Sequence, residues 1–158
     1  MPKQILKTLT MLTLVVGFGL AAAMVSANGQ VTSTFVTANI PFDFVVADKT
    51  LPAGNYKVSS LTSGGNTLKI SSRDGKSAAI RFSDLIPERS EQRTARMVFH
   101  RYGQKYFLAE VWSGDDYGRE LRRCKTERVL QYELASNTSK SDSANGSYQI
   151  VEVVAFVR

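Results

Sequence analysis

The chain is poor in the side chains on which most enzyme and metal sites depend. Its 158 residues include one cysteine, Cys124, and one histidine, His100. A single cysteine excludes a disulfide within the chain, and one histidine leaves a zinc site dependent on carboxylates and Cys124. GxSxG, HExxH, P-loop and dinucleotide-binding patterns are absent. We therefore predict no catalytic residue, no metal and no cofactor, and expect that the protein is not an enzyme.

The two rare residues have ordinary structural explanations. His100 falls among apolar residues, which favours a core or rim histidine over a ligand or base. Free cysteine is most often buried, so burial is the expectation for Cys124. One alternative is a disulfide to a second chain. The other is a reactive thiol, because neighbouring basic residues would lower its pKa if it were exposed.

The N-terminus resembles a secretory signal in its order of residue types. Lys3 and Lys7 precede a largely uncharged run from 8 to 25. Small or β-branched residues at Val25 and Ala27 then suit signal peptidase, so we predict a signal peptide over 1–27 and one domain over 28–158. An uncleaved membrane anchor is the alternative, because the run is long enough to span a bilayer. The predicted protein is periplasmic or extracellular, and not an integral membrane protein after cleavage.

The charge balance is mildly basic. The whole chain has 20 basic and 14 acidic residues, a formal charge of +6. Cleavage would remove Lys3 and Lys7 and leave +4. Outside the cytoplasm such an excess favours solubility or attraction to an anionic glycan, lipid or envelope polymer, and not to nucleic acid.

Alternating apolar and polar residues, broken by turn residues, predict a mostly β chain from Thr34 onward. The expected fold is a single-domain antiparallel β-barrel or β-sandwich. Asp74-Gly75 predicts a hairpin that places Ala78, Ile80 and Phe82 beside Leu68 and Ile70. Residues 85–94 are expected to form a loop.

A second predicted hairpin has arms 95–102 and 105–112 around Gly103-Gln104. In its simplest register His100 faces Phe107 and Val98 faces Ala109, and this face is assigned to the core. The opposite face is both aromatic and charged, and it supplies the candidate ligand-binding residues Phe99, Arg101, Tyr106, Glu110 and Trp112. The alternative is that these aromatics form a second core layer under a helix.

The last third combines a predicted helix with a predicted central strand. Helix-forming residues suggest a helix from about Glu127 to Ala135, with Thr126 as its N-cap. The nearly continuous apolar run from 148 to 157 favours a strand covered on both faces.

A cluster of basic residues precedes and enters the predicted helix. Interspersed glutamates favour a solvated face with local ion pairs, and an anion-binding patch is the alternative. The cluster comprises Arg119, Arg122, Arg123, Lys125 and Arg128.

Several segments together resemble a group of small exported bacterial proteins to which no activity is attached. They are IPFDF at 40–44, LPAGNY at 51–56, FHRYG at 99–103 with YFL at 106–108 and Trp112, and GREL at 118–121 with Glu127 and Arg128. The resemblance implies export and β architecture. Together with the composition, it leads us to expect a non-catalytic binding or structural protein whose ligand is a glycan, a cell-wall polymer or a lipid. The alternative is a carboxylate-dependent hydrolase of an extracytoplasmic polymer.

Processing is directly testable. Protein purified from exporting cells should begin at Asn28, because the residues up to Ala27 satisfy signal peptidase. N-terminal sequencing checks this. An intact Met1 in washed membranes would instead indicate an anchored protein.

Overall fold

Eleven strands and one helix make up the described part of the chain, which in the computed structural model comprises residues 35–89, 93–137 and 148–158. The predicted signal peptide lies outside these residues. The helix is α1 (Lys125–Asn137). The strands are β1 (Phe35–Ile40), β2 (Phe44–Val46), β3 (Lys49–Leu51), β4 (Gly54–Ser60), β5 (Thr67–Ser72), β6 (Ala78–Pro87), β7 (Ala95–Tyr102), β8 (Lys105–Ser113), β9 (Tyr117–Leu121), β10 (Gln149–Val154) and β11 (Phe156–Val157).

The described strands form one large sheet in the order β10-β7-β8-β9-β6-β5-β4-β1-β11, and β2 joins β8 and β3. The sheet is not closed, so the mostly β fold is sandwich-like rather than a barrel, which confirms the predicted fold class. Strand β6 joins the two parts of the sheet, because it pairs with β5 as far as Phe82 and with β9 from Ser83 onward. Ser83 is buried at this change of partner, and its hydroxyl donates to the carbonyl oxygen of Gly65 at 3.1 Å.

The core consists of a large cluster inside the sheet and a small one under the helix. The large cluster includes Ile40, Phe44, Tyr56, Ile70, Met97 and Phe99. The small cluster contains Tyr102, Phe107 and Cys124, with Leu130 and Leu134 of α1 packed against it. The predicted assignment of Val98, Phe107 and Ala109 to the core is confirmed, since all three are buried. The opposite side of the hairpin, which was not assigned to the core, supplies Met97, Phe99 and Leu108 to the large cluster.

The first predicted hairpin is confirmed as β5–β6, but the predicted side-chain placement is wrong. Ile70 lies opposite Ala79, and Lys69 lies opposite Ile80. Antiparallel partners point to the same face, so Ile80 and Phe82 point away from Leu68 and Ile70. They are 56% and 65% exposed.

Three other predictions need correction. The C-terminal strand is not central: β10 and β11 lie at the two ends of the strand order, with Ile150 and Val154 exposed. Strand β6 continues to Pro87, into the predicted loop. The helix begins at Lys125, two residues before its predicted start. The helix-forming residues just before it, up to Leu121, belong to strand β9 instead.

A residue far away in sequence caps the N-terminus of α1. Asp48 accepts hydrogen bonds from the backbone N–H groups of Thr126, at 2.8 Å, and Lys125, at 3.4 Å. Asp48 is therefore the capping residue, and Thr126, which was predicted as the N-cap, donates a backbone hydrogen bond to it. The N–H of Thr126, followed by its hydroxyl, lowers the pKa of Asp48 from 3.8 to about 2.

Asp48 reaches the helix from a tight turn between β2 and β3. Ala47 and Asp48 have φ values of 52° and 63°, the left-handed conformation that a two-residue hairpin turn of this type requires. Alanine adopts this conformation at a cost of roughly 1–2 kcal/mol. The turn is thus held in a strained geometry that places the Asp48 carboxylate against the helix.

We expect Asp48→Ala to lower the melting temperature by several degrees, because two helix N–H groups lose their acceptor. Asp48→Asn is the matched control, since asparagine also accepts a hydrogen bond and tolerates positive φ. At neutral pH it should lose less stability than Asp48→Ala, because it keeps the acceptor and loses only the charge. Thermal unfolding followed by circular dichroism measures both, and equal losses in the two variants would contradict the capping role.

The same residue predicts an acid dependence. Because folding lowers the pKa of Asp48, the carboxylate contributes its stabilisation above its ordinary pKa of 3.8 and loses it as the pH falls through about 2. The stability difference between parent and Asp48→Asn should therefore narrow across that window.

Candidate ligand-binding cleft

A β-bulge divides the predicted ligand-binding face between two sides of the sheet. The β7–β8 pairing follows the predicted register from Tyr102, opposite Lys105, to Phe99, opposite Leu108. Val98 then lies opposite Glu110, so Ala109 is an extra residue on β8. An extra residue reverses the alternation of every side chain beyond it.

The prediction that five residues share one face is therefore wrong. Phe99, Arg101 and Tyr106 lie on one side, whereas Glu110 and Trp112 lie on the side of Val98. A bulge has no strong sequence signal here, because Leu108-Ala109-Glu110 also fits unbroken alternation.

The first group belongs largely to the core. Phe99 is fully buried and makes edge-on contacts with Phe42 and Phe44. Tyr106 stacks on Phe42 with ring centroids 3.9 Å apart. Arg101 covers Tyr106 and donates to the carbonyl oxygen of Gly103 at 2.8 Å. Phe99 is therefore a core residue, as the alternative expected, but it lies in the large cluster and not under the helix.

The second group lies at a cleft of about 560 Å³ on the outer side of β6–β9. Five of its eight lining residues are charged. The lining consists of Ile86, Pro87, Glu88, Arg89, Arg96, Glu110, Trp112 and Glu120. Sequence reasoning found Glu110 and Trp112 but missed Arg96, which only the bulged register brings opposite Trp112.

Trp112 is held between a glycine and an arginine, and only 4% of it is exposed. A Cβ on Gly118 would collide with the ring, so this position needs glycine. The Arg96 guanidinium lies 4.6 Å from the ring centroid on a cation–π contact. The indole Nε1 donates to Glu110 Oε2 at 2.7 Å. Trp112 therefore fixes the cleft wall and offers no open stacking surface.

Arg96 is fixed by carboxylates as well as by Trp112. Its two terminal nitrogens donate to Glu88 at 2.9 and 3.2 Å, a bidentate pair that is largely buried. Its Nε lies 3.8 Å from Glu152 on β10. The guanidinium of Arg96 on β7 consequently links this strand to Glu88, next to the end of β6, and to Glu152 on β10.

Two glutamates adjoin each other on the opposite part of the cleft. Glu110 and Glu120 are direct cross-strand partners and therefore point to the same side. Asp84 lies next in the row, opposite Glu120, and forms a bidentate pair with Arg122. Within the described ranges, no ion pair neutralises Glu110 or Glu120. The cleft therefore holds uncompensated negative charge.

Three members of the basic cluster make local contacts. Arg119 donates to the Gly64 carbonyl, Arg122 pairs with Asp84, and Arg123 donates to Gln131. Lys125 and Arg128 are exposed on α1. These three contacts agree with the favoured interpretation of a solvated face with local pairs, and the anion-binding patch stays an untested alternative.

A polar cluster is buried under α1. His100 Nδ1 lies 2.9 Å from Glu127 Oε1, and Tyr102 donates to the same oxygen at 3.4 Å. Burial, followed by the charge of Glu127, raises the pKa of Tyr102 to about 12. His100 is therefore a core histidine with a partner, as expected, and that partner was not predicted. Cys124 is buried beside it, and burial raises the pKa of its thiol.

The comparisons with known proteins supply no relative. No family model matches the chain, and no curated protein or solved structure matches it. Among the described residues, no group of three or more metal-ligating side chains is placed to hold a metal ion. Within the described residues, the helix α1 is not long and apolar enough to cross a membrane.

Trp112→Ala should cost roughly 3–5 kcal/mol, because it empties a buried site. Trp112→Phe is the matched variant: it keeps an aromatic ring in the site but loses the hydrogen bond to Glu110 and the volume of the second ring, so we expect a smaller loss than for alanine. Urea unfolding measures both free energies. Because Trp112 is the only tryptophan, its emission should also be blue-shifted and protected from quencher, and red-shifted emission in the folded protein would contradict burial.

Proposed function

We propose that this protein is exported and binds a saccharide of an envelope polymer in the cleft beside Trp112, without catalysis. One observation carries the proposal: a cleft large enough for a small ligand is lined mainly by charged, planar side chains. Carboxylates and guanidinium groups form paired hydrogen bonds with neighbouring hydroxyls, which are the groups that a saccharide presents.

The charge of the lining supports a sugar over a fatty acyl chain. Lipid tails need an apolar wall, and only Ile86, Pro87 and Trp112 are apolar here. Three glutamates outnumber the two arginines by one, and Arg96 is already engaged by Glu88. A neutral or amine-bearing saccharide therefore suits the cleft better than an acidic one.

Export agrees with this assignment through the N-terminal sequence. The charged-then-apolar order before Ala27 predicts a compartment in which envelope polysaccharides are available. The mildly basic chain would not repel anionic envelope polymers.

A hydrolase is the second candidate, because Glu110 and Glu120 meet in one cleft with an aromatic wall. Paired carboxylates are the usual machinery of glycoside hydrolysis. Two features favour binding instead. Glu110 already accepts the indole hydrogen bond, and Glu120 is exposed, whereas a general acid needs a carboxyl held away from water.

Calorimetric titration with glucosamine oligomers, with and without N-acetyl groups, tests the proposal. We expect Glu120→Gln to weaken binding by about tenfold, since charged hydrogen bonds contribute roughly 1.5–3 kcal/mol. Glu133→Gln is the control, because Glu133 is an exposed glutamate on α1, outside the cleft. Its affinity should be unchanged.

Three outcomes would count against non-catalytic saccharide binding. Equal affinity of Glu120→Gln and Glu133→Gln for the oligomers would show that the saccharide does not bind in the cleft. No heat with any oligomer would reject this class of ligand. Release of reducing ends that Glu110→Gln abolishes would establish the hydrolase.

A further inference from the structure

One outer face of the sheet exposes aromatic, aliphatic and basic side chains together. We propose that this face binds an anionic lipid surface. The face belongs to β11, β1, β4, β5 and the first half of β6, and we call it the basic face. Its main side chains are Phe35, Lys57, Lys69, Ile80, Phe82 and Phe156.

The strand registers bring these residues to one side. Phe156 lies opposite Thr37, which lies opposite Lys57, and this forms one row across the sheet. In the next row Phe35 lies opposite Ser59, Ser59 opposite Lys69, and Lys69 opposite Ile80. Antiparallel partners share a face, so both rows point outward together.

The apolar members of the basic face are exposed to an unusual extent. Phe82 is 65% and Phe156 67% exposed, at opposite margins of the face. Each exposed aromatic ring would lose unfavourable contact with water by entering an apolar medium. Isolated exposed apolar residues need no explanation, but here several share a face with cations.

The charges of the basic face are complementary to phosphate. Lys57 and Lys69 are its outward charged side chains, and Lys57 Nζ lies 3.6 Å from the centroid of the Phe35 ring. The nearest carboxylates are already engaged: Asp74 lies near Lys76, and Asp84 is paired with Arg122. Asp84 shares the outward side of β6 with Phe82, so its pairing with Arg122 is what leaves the lysines as the free charges beside it.

A bilayer with anionic headgroups can bind both the exposed apolar side chains and the lysines of the basic face. Aromatic and aliphatic side chains enter the boundary between headgroups and acyl chains, while lysines extend toward lipid phosphates. A soluble polyanion would engage the lysines alone and leave Phe82 and Phe156 in water. This inference uses none of the cleft residues and does not depend on the proposed saccharide ligand.

Sedimentation with lipid vesicles tests the inference on protein purified from exporting cells. We expect binding to vesicles that contain phosphatidylglycerol, and much weaker binding to vesicles of phosphatidylcholine alone. Lys57→Gln and Lys69→Gln should each weaken binding about fivefold, the effect of losing one cation near an anionic surface. Phe82→Ser should remove most of the binding that persists at high salt.

Control variants keep the result specific. Lys125→Gln removes a lysine, and Tyr132→Ser removes an aromatic ring that is 81% exposed, both on α1 and outside the basic face. Neither should change vesicle binding, and circular dichroism should show native folding for all variants. Glu120→Gln should also retain vesicle binding, which separates this test from that of the cleft.

Three results would overturn the inference. The first is equal binding to both kinds of vesicle. The second is an equal loss of binding in the α1 control variants. The third is binding to soluble polyphosphate that Lys69→Gln weakens and Phe82→Ser leaves intact, which would assign the face to a polyanion.

Discussion

The extra residue at Ala109 is the constraint on which the cleft depends. Before it, β8 pairs with β7 in simple alternation, and Phe99 and Leu108 enter the large core. After it, Val111 takes the core side, so Glu110 and Trp112 emerge on the outer side opposite Val98 and Arg96. Without the bulge, the core would receive a carboxylate and lose a valine. Such burial would require a compensating charge or hydrogen bond.

Two apolar regions on the outer side of the sheet are shielded from water, and different groups shield each one. Near His100 and Phe107 the cover is α1, which contributes Leu130, Leu134 and the buried carboxylate of Glu127. The strained turn at Asp48 anchors the start of that helix. At Trp112 the cover is a guanidinium held by Glu88, and beside it the surface stays open as a cleft.

Local patterns in the sequence predicted most of the strands but could not predict the features that place side chains on faces. Alternation and turn residues located both hairpins, and composition located α1 to within a few residues. The bulge at Ala109 could not be predicted from the sequence, because a small apolar residue fits both the regular and the bulged pairing of β7 with β8. Asp48 and Glu127 act on elements distant in sequence, and no local pattern pairs Asp48 with Thr126 or Glu127 with His100.

The two candidate surfaces are linked by β6. Its first half places Ile80 and Phe82 on the basic face, and its second half places Ile86 and Pro87 at the cleft. Alternation along β6 puts Phe82, Asp84 and Ile86 on one side of the strand, and Asp84 lies opposite Glu120 of the cleft, so the two surfaces adjoin on the outer side of the sheet. The junction of the two surfaces is Asp84, whose charge is paired with Arg122. Because the carboxylates of Glu110 and Glu120 would be repelled by an anionic membrane, they favour contact through Lys57 and Lys69 over contact through the neighbouring cleft.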